Sequence, residues 1–172
     1  MGRNSLQQIQ APLKERYRDD PAAARVTLSA SGALGEGVTC SVQTGQALVR
    51  AGLHPGTGGD GLSACSGDML LQALVACAGV TMGAVATSLG IDVSGTVSAE
   101  GDLDWRGTLS VDRDTPVGFT DIRLHFNLDT AATAEQVTTL VRLTERYCVV
   151  YQTLKSSPRL TTSFDVAGTI SA

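Results

Sequence analysis

Nucleophilic and metal-ligating side chains are few in this chain, four cysteines and two histidines in 172 residues. Their spacing excludes most of the chemistry such groups perform. The cysteines stand at positions 40, 65, 77 and 148, and no two are separated as Cys-x-x-Cys. Neither His54 nor His125 clusters with them, so no structural zinc or other metal site is expected. A Ser-His-Asp hydrolase needs a histidine with partners and a Gly-x-Ser-x-Gly turn, which is absent. The glycine-rich stretch HPGTGGDGLSACSGD at 54–68 precedes an apolar run. It carries neither GxxxxGK(S/T) nor a GxGxxG in register after a buried strand, so it reads as a flexible wall near a site, not a phosphate cradle. Thiol chemistry remains, with Cys77 and Cys148 as the pair. Each lies in or at the end of a helix, and only the meeting of those helices is needed to bring them together. Free cysteine is also a common small apolar filler of tight contacts, and the residues leave both readings open.

The element that must position Cys77 is the stretch SGDMLLQALVACAGVTMGAVATSLG at 66–90. No charged residue falls between Asp68 and Asp92, and Ala, Leu and Met favour helix, so it reads as one central helix of about six turns. Ser66 reads as its N-cap, Asp68 suits the positive end of the helix dipole, and Gly90 is its stop. The length admits a membrane span. Against that, Gln72, Thr81 and Thr87 dilute the run, and no Lys, Arg, Trp or Tyr anchors its ends. The helix is expected to be buried on every side, by its own sheet and by a second subunit.

Around it, NSLQQIQAPLKERYRDD at 4–20 reads as a polar amphipathic helix interrupted at Pro12, and Pro21 ends it. The chain then divides into an extension at 1–21 and one domain at 22–172. Alternation at 25–30 and 38–42 reads as a hairpin with SGALGEG as its connection, followed by a third strand at 46–52. Two long strands follow the helix, at 91–105 and 119–129, separated by an excursion at 106–118. His125 falls on the wet face of the second strand and reads as a surface residue; His54 lies in the loop with no partner in view. Thr133 and Gln136 stand at capping-box spacing and open a second helix through Tyr147. A last strand is expected at 159–168. The order predicts an α+β fold, helices over antiparallel sheets.

A net charge of −4 argues against nucleic acid or an anionic membrane as partner. The start has no charged n-region, apolar h-region and cleavage site, so a cytoplasmic protein is expected. Four cysteines in that reducing compartment are packing residues or reactive thiols, not a disulfide scaffold.

The segment GLSACSGDMLLQALVACAGVTM resembles the central-helix signature of the OsmC/Ohr superfamily. There an acidic residue and a Leu/Ala-rich run precede a cysteine. The later CVVYQTL is similar to that family's second cysteine motif, Cys-Pro-Val-Ser followed by a leucine. The resemblance covers roughly residues 25–168. It implies an OsmC-like fold as an intertwined homodimer, with the two central helices buried together and two sites at the interface. It implies thiol-dependent reduction of organic hydroperoxides, a stress-defence activity needing no cofactor and an external dithiol as reductant. Carried onto this chain, Cys77 becomes the attacking thiolate that ends as a sulfenic acid, and Cys148 resolves it to a disulfide. Asp68 stands at or within one position of the family's carboxylate. Nine residues from Cys77, it lies about 13 Å along a regular helix and on the opposite side, so direct contact between them is excluded.

Three departures accompany the match. The hairpin that carries the family's activating arginine has SGALGEG here, without a basic residue. Arg25, Arg50 and Arg146 are the candidates to replace it in space. Val149 stands where the family has proline after the second cysteine, and Tyr151 where it has serine. An alternative function follows, a dimer that holds a small apolar or acyl ligand without turnover in a pocket lined by Met69, Leu70, Ala73 and Leu74. Cys65, in the loop before the helix, is a possible second resolving thiol, and Cys40 is expected to pack in the sheet.

Overall fold

The computed structural model describes residues 48–166 with their side chains, the backbone at 32–34, 39–44 and 47, and single positions at 8, 11, 15, 19 and 20. The helix expected at 4–20 is described at five positions, of which 8, 11, 15 and 19 are helical and 20 is not. The rest of it, the strand expected at 25–30 and the boundary at 21–22 lie outside the described residues.

Helix α1, Ser66–Leu89, is the element on which the others pack. Its N-cap is Cys65, one residue earlier than expected; Ser66 is already helical and no side chain caps the end. Asp68 sits in the first turn, where a carboxylate meets the unsatisfied N–H groups favourably. The helix stops at Gly90 as expected. Its φ of 70° is one that side chains resist, and its N–H bonds back to the Ala86 and Thr87 carbonyls. Leu74, Ala78, Met82 and Ala86 are buried. Four-residue spacing puts them in one stripe. The remainder of the helix is not buried within one chain. Val80 is 76% exposed, and Ala73, Ala76 and Gly83 are exposed beside it. One chain supplies one layer to lie against, and the side around Val80 is the one whose burial the sequence reading assigned to a second subunit.

Among the described residues, four strands precede or lead into α1: β1 (Gly32–Leu34), β2 (Thr39–Thr44), β3 (Ala47–Gly52) and β4 (Ala64–Cys65), in spatial order β1-β2-β3-β4. β1 lies inside the stretch whose glycines read as a connection, with Gly32 opposite Val42 and Leu34 opposite Cys40. Gly and Ala carry no alternation signal there, so only pairing defines the strand. β3 and β4 run parallel, a departure from the all-antiparallel expectation confined to Ala51–Ala64 and Gly52–Cys65.

After α1, β5 (Ser94–Asp102) and β6 (Asp121–Asp129) form an antiparallel pair, in register from Ser94–Asp129 to Asp102–Asp121. The short helix α2 (Trp105–Thr108) lies in the excursion between them. Ile122, Leu124, Phe126 and Leu128 point to the helices, while Arg123, His125 and Asn127 are exposed, as their alternation predicts. Helix α3 (Ala134–Tyr147) starts with the predicted capping box. The Gln136 N–H donates to the Thr133 hydroxyl, and the Thr133 N–H donates to the Gln136 side chain at 2.8 Å. Its Leu140 meets Met82 and Ala86 of α1 in the core, with Phe126 and Leu128 of β6 packed against them. Helix α4 (Val149–Lys155) follows after a single residue, Cys148.

The strand expected at 159–168 does not form over its described part: residues 157–166 have no regular structure. Leu160 and Phe164 are each 86% exposed. Alternation makes a segment able to pair, but a strand exists only when an edge accepts its backbone.

Leu140 is fully buried where α1, α3 and the sheet meet. Leu140→Ala leaves a cavity there and is expected to lower unfolding free energy by about 2–5 kcal/mol in urea titration, against little change for Leu62→Ala in the exposed loop before α1.

Candidate active site

Cys148 is the single residue between two helices, and this fixes its geometry. It ends α3, its N–H bonding to the Thr144 carbonyl at 2.9 Å. It also caps α4, its sulfur accepting the Tyr151 N–H at 3.5 Å. Because α3 and α4 both pack on α1, the junction lies over the middle of that helix, where Cys77 is. The two thiols are close enough for each to act on the ionisation of the other, and both are free. Cys148 is fully buried and Cys77 half-buried. The structure therefore brings together the two cysteines that the sequence singles out.

Their surroundings make them unequal. Burial pushes the Cys77 thiol up. Against it act the Val150 N–H, the Cys148 thiol, the Thr81 hydroxyl and the Val149 N–H, and together they hold Cys77 below the ordinary cysteine value. Burial pushes Cys148 up as well, and although the Tyr151 N–H opposes this, the neighbouring Cys77 adds to it, so its thiol stays above the ordinary value. The arrangement favours a thiolate at Cys77 facing a protonated Cys148. Among the described residues, none of the groups acting on Cys77 is a cation. Arg50 is exposed on β3, and Arg146 lies over the Tyr147 ring at 5.8 Å; Arg25 lies outside the described residues.

The donors at Cys77 are what sequence reading missed. The Val149 and Val150 amides carry no side-chain signature, and their role follows from a helix starting one residue after another ends. Thr81 did leave a signal: four residues after Cys77, it shares that side of the helix. Val149 also acquires meaning, because a proline at that position has no N–H to give.

Asp68 is not part of this constellation. It is exposed in the first turn of α1 and lines a cleft with Leu71, Val75 and Ala99 on another side of the helix. Cys65 caps the same helix, twelve residues and about 18 Å of helical rise from Cys77, too far to resolve it within one chain. Cys40 is in β2 opposite Ala51. His125 is exposed opposite Ser98. His54 does have partners: it stacks on Trp105 with ring centroids 4.9 Å apart, and its Nδ1 accepts the Gly56 N–H at 3.0 Å.

A groove of about 470 Å³ opens beside the pair, between β6 and helices α3 and α4. Leu74, one turn before Cys77, and Tyr151, whose N–H bonds to Cys148, form its inner end; Phe119, Leu124, Phe126 and Leu154 extend it. Of the four residues expected to line an apolar pocket, Leu74 lines this one. Gly101 leaves space for the Phe119 ring, since a Cβ there would lie 2.6 Å from it.

An α+β frame that holds two unequal thiols where a helix junction crosses a central helix defines a dithiol protein. The family model for OsmC-like protein matches residues 58–163, which include both cysteines. The chain belongs to the OsmC-like family. An OsmC-like protein of Mycoplasma pneumoniae has a similar fold, with a TM-score of 0.64 at 16% identity, over 77% of this chain and 89% of that one. An organic hydroperoxide resistance protein of Elizabethkingia anophelis matches with a TM-score of 0.61 at 18% identity, over 78% and 91%. An OsmC-like protein of unknown function from Vibrio cholerae matches at 0.60 and 15%, over 75% and 94%. No curated protein sequence matches the chain.

Cys148 already has φ −72° and ψ 110°, a conformation suited to the residue before proline, and the first position of a helix accepts proline. Val149→Pro should therefore remove one N–H without unfolding α4. The midpoint of Cys77 alkylation by iodoacetamide, below that of an ordinary thiol in the native protein, is expected to move to higher pH, with unchanged circular dichroism.

Proposed function

We propose that the protein is a thiol-dependent peroxidase of the cytoplasm that reduces organic hydroperoxides through Cys77 and Cys148. The observation that carries this reading is the contact between two free thiols whose environments push them in opposite directions. The thiolate of Cys77 attacks the terminal oxygen of the hydroperoxide, the O–O bond breaks, and the remainder leaves as the alcohol after gaining a proton. Sulfur is oxidised to the sulfenic acid. The Cys148 sulfur then attacks Cys77, forming the disulfide and releasing water, and an external dithiol returns both to the reduced state. The groove beside the pair accepts the organic part of the substrate. Asp68 acts here through the helix N-terminus, not on the sulfur.

The working form in this reading is an intertwined homodimer. Two unburied features support it: the uncharged side of α1 around Val80, and the alternating segment with Leu160, Phe164 and Val166 exposed. A second copy would bury both. The apolar groove also supports the alternative, a dimer that holds a small apolar or acyl ligand without turnover; the fate of the two thiols under oxidant decides between them.

One equivalent of cumene hydroperoxide, without reductant, is expected to convert the protein to a Cys77–Cys148 disulfide, two mass units lighter by intact mass spectrometry. Cys77→Ser should show no oxidation at this pair, and Cys148→Ser should stop sixteen units heavier at the sulfenic acid. Two free thiols after both cumene hydroperoxide and hydrogen peroxide would rule the peroxidase out. The same sample should run at twice the chain mass by light scattering.

A further inference from the structure

The groove beside the thiols has a neighbour. It runs over β6, with Leu74 of α1 at its inner end and Phe119, just before the strand, among its outer residues. On another side of α1, against β5, lies a second cleft of about 420 Å³, lined by Leu71, Val75 and Ala99. Leu71 and Leu74 are three residues apart on the same helix, so the body of α1 stands between the two spaces. At its first turn a side chain does so instead.

That side chain is Phe119. Its ring lies over Gly101 of β5, where a Cβ would be 2.6 Å from the ring and 3.4 Å from Leu71 Cδ2. The same ring reaches the start of α1, 3.4 Å from where a Cβ of Gly67 would stand. Gly101 faces the helices because it is opposite Ile122, and residues directly opposite across strands share a face. Ring and Leu71 therefore meet over a glycine, Phe119 on the groove side and Leu71 on the cleft side. The backbone next to the ring is pinned as well. Both the N–H and the hydroxyl of Thr120 donate to the Asp102 carbonyl, at 2.8 and 3.1 Å. With glycine on each element that the ring touches, the ring and Leu71 close the passage.

We propose that Phe119 is a specificity-determining wall: its ring sets how much of an alkyl chain the groove can bury, and so the chain length this site prefers. A chain whose polar end lies at the thiols runs along β6 toward Phe119. Each methylene up to the ring leaves water, and those past it turn outward. Without the ring, the chain passes under the first turn of α1 into the cleft against β5. That the chain belongs to a hydroperoxide rests on the reading above, whereas the wall serves equally for an apolar ligand held without turnover.

The test titrates straight-chain alcohols, the products of the proposed reduction, into the native protein, Phe119→Ala and Phe119→Leu by calorimetry, from hexanol to hexadecanol. Native affinity is expected to rise about fourfold per added methylene until the chain meets the ring, and then to level. Phe119→Ala should continue the rise at the same step past that length, and Phe119→Leu should continue it for fewer methylenes. Circular dichroism checks each fold, and the leucine variant carries the test if the alanine variant does not fold. A break at the native length in the folded variants overturns the proposal, as does a native rise that continues unbroken to hexadecanol. Disulfide formation with the matching alkyl hydroperoxides is followed in parallel. If none of them oxidises Cys77 and Cys148 while the break still moves with Phe119, the peroxidase reading fails and the wall stands.

Discussion

A helix with no charge between Asp68 and Asp92 has to lose most of its contact with water, and the rest of the fold follows from how that is done. Its stripe from Leu74 to Ala86 is covered by Leu140 and its neighbours on α3 and by the inward residues of β6. Each apolar side chain fully buried there contributes about 1.5–3 kcal/mol, against which the six turns must be ordered. The same requirement places the thiols. α3 has to lie on the stripe, its C-terminal end therefore reaches the middle of α1, and the residue that caps that end is Cys148.

Local backbone economy does the remaining work at the site. A helix end leaves carbonyls without partners, and a helix start leaves N–H groups without partners. With one residue between α3 and α4, both deficits fall at Cys148. The spare N–H groups of Val149, Val150 and Tyr151 converge on two sulfurs instead of on water. Backbone dipoles thus oppose the cost of burying a thiolate in a place where no arginine among the described residues acts on it. A valine after the second cysteine is part of that arrangement, because it retains an N–H that proline lacks.

One chain satisfies only part of its hydrophobic surface. The side of α1 bearing Val80, and the exposed Leu160, Phe164 and Val166, are apolar in a pattern that water does not reward. These are the places where the sequence pattern and the single-chain structure disagree, and the disagreement has a single direction. Each is a segment coded for burial or pairing that finds no partner within its own chain.

The long helix with its glycine stop, the capping box at Thr133 and Gln136, and the wet and dry faces of β6 were legible in the sequence. Each depends on residues a few positions apart, and short-range sterics and hydrogen bonds decide it. Cys77 and Cys148 were legible as a pair by elimination and by resemblance, though their separation of 71 positions contains no distance. Only the tertiary structure decided that they touch, that Cys65 and Asp68 stand apart from them, and that His54 stacks on Trp105. It also decided that β1 forms where Gly32 and Ala33 give no alternation, and that residues 159–166 stay unpaired despite theirs. Tuning of the thiols was the least visible property, because backbone amides exist at every residue but proline and acquire a role only through what folds against them.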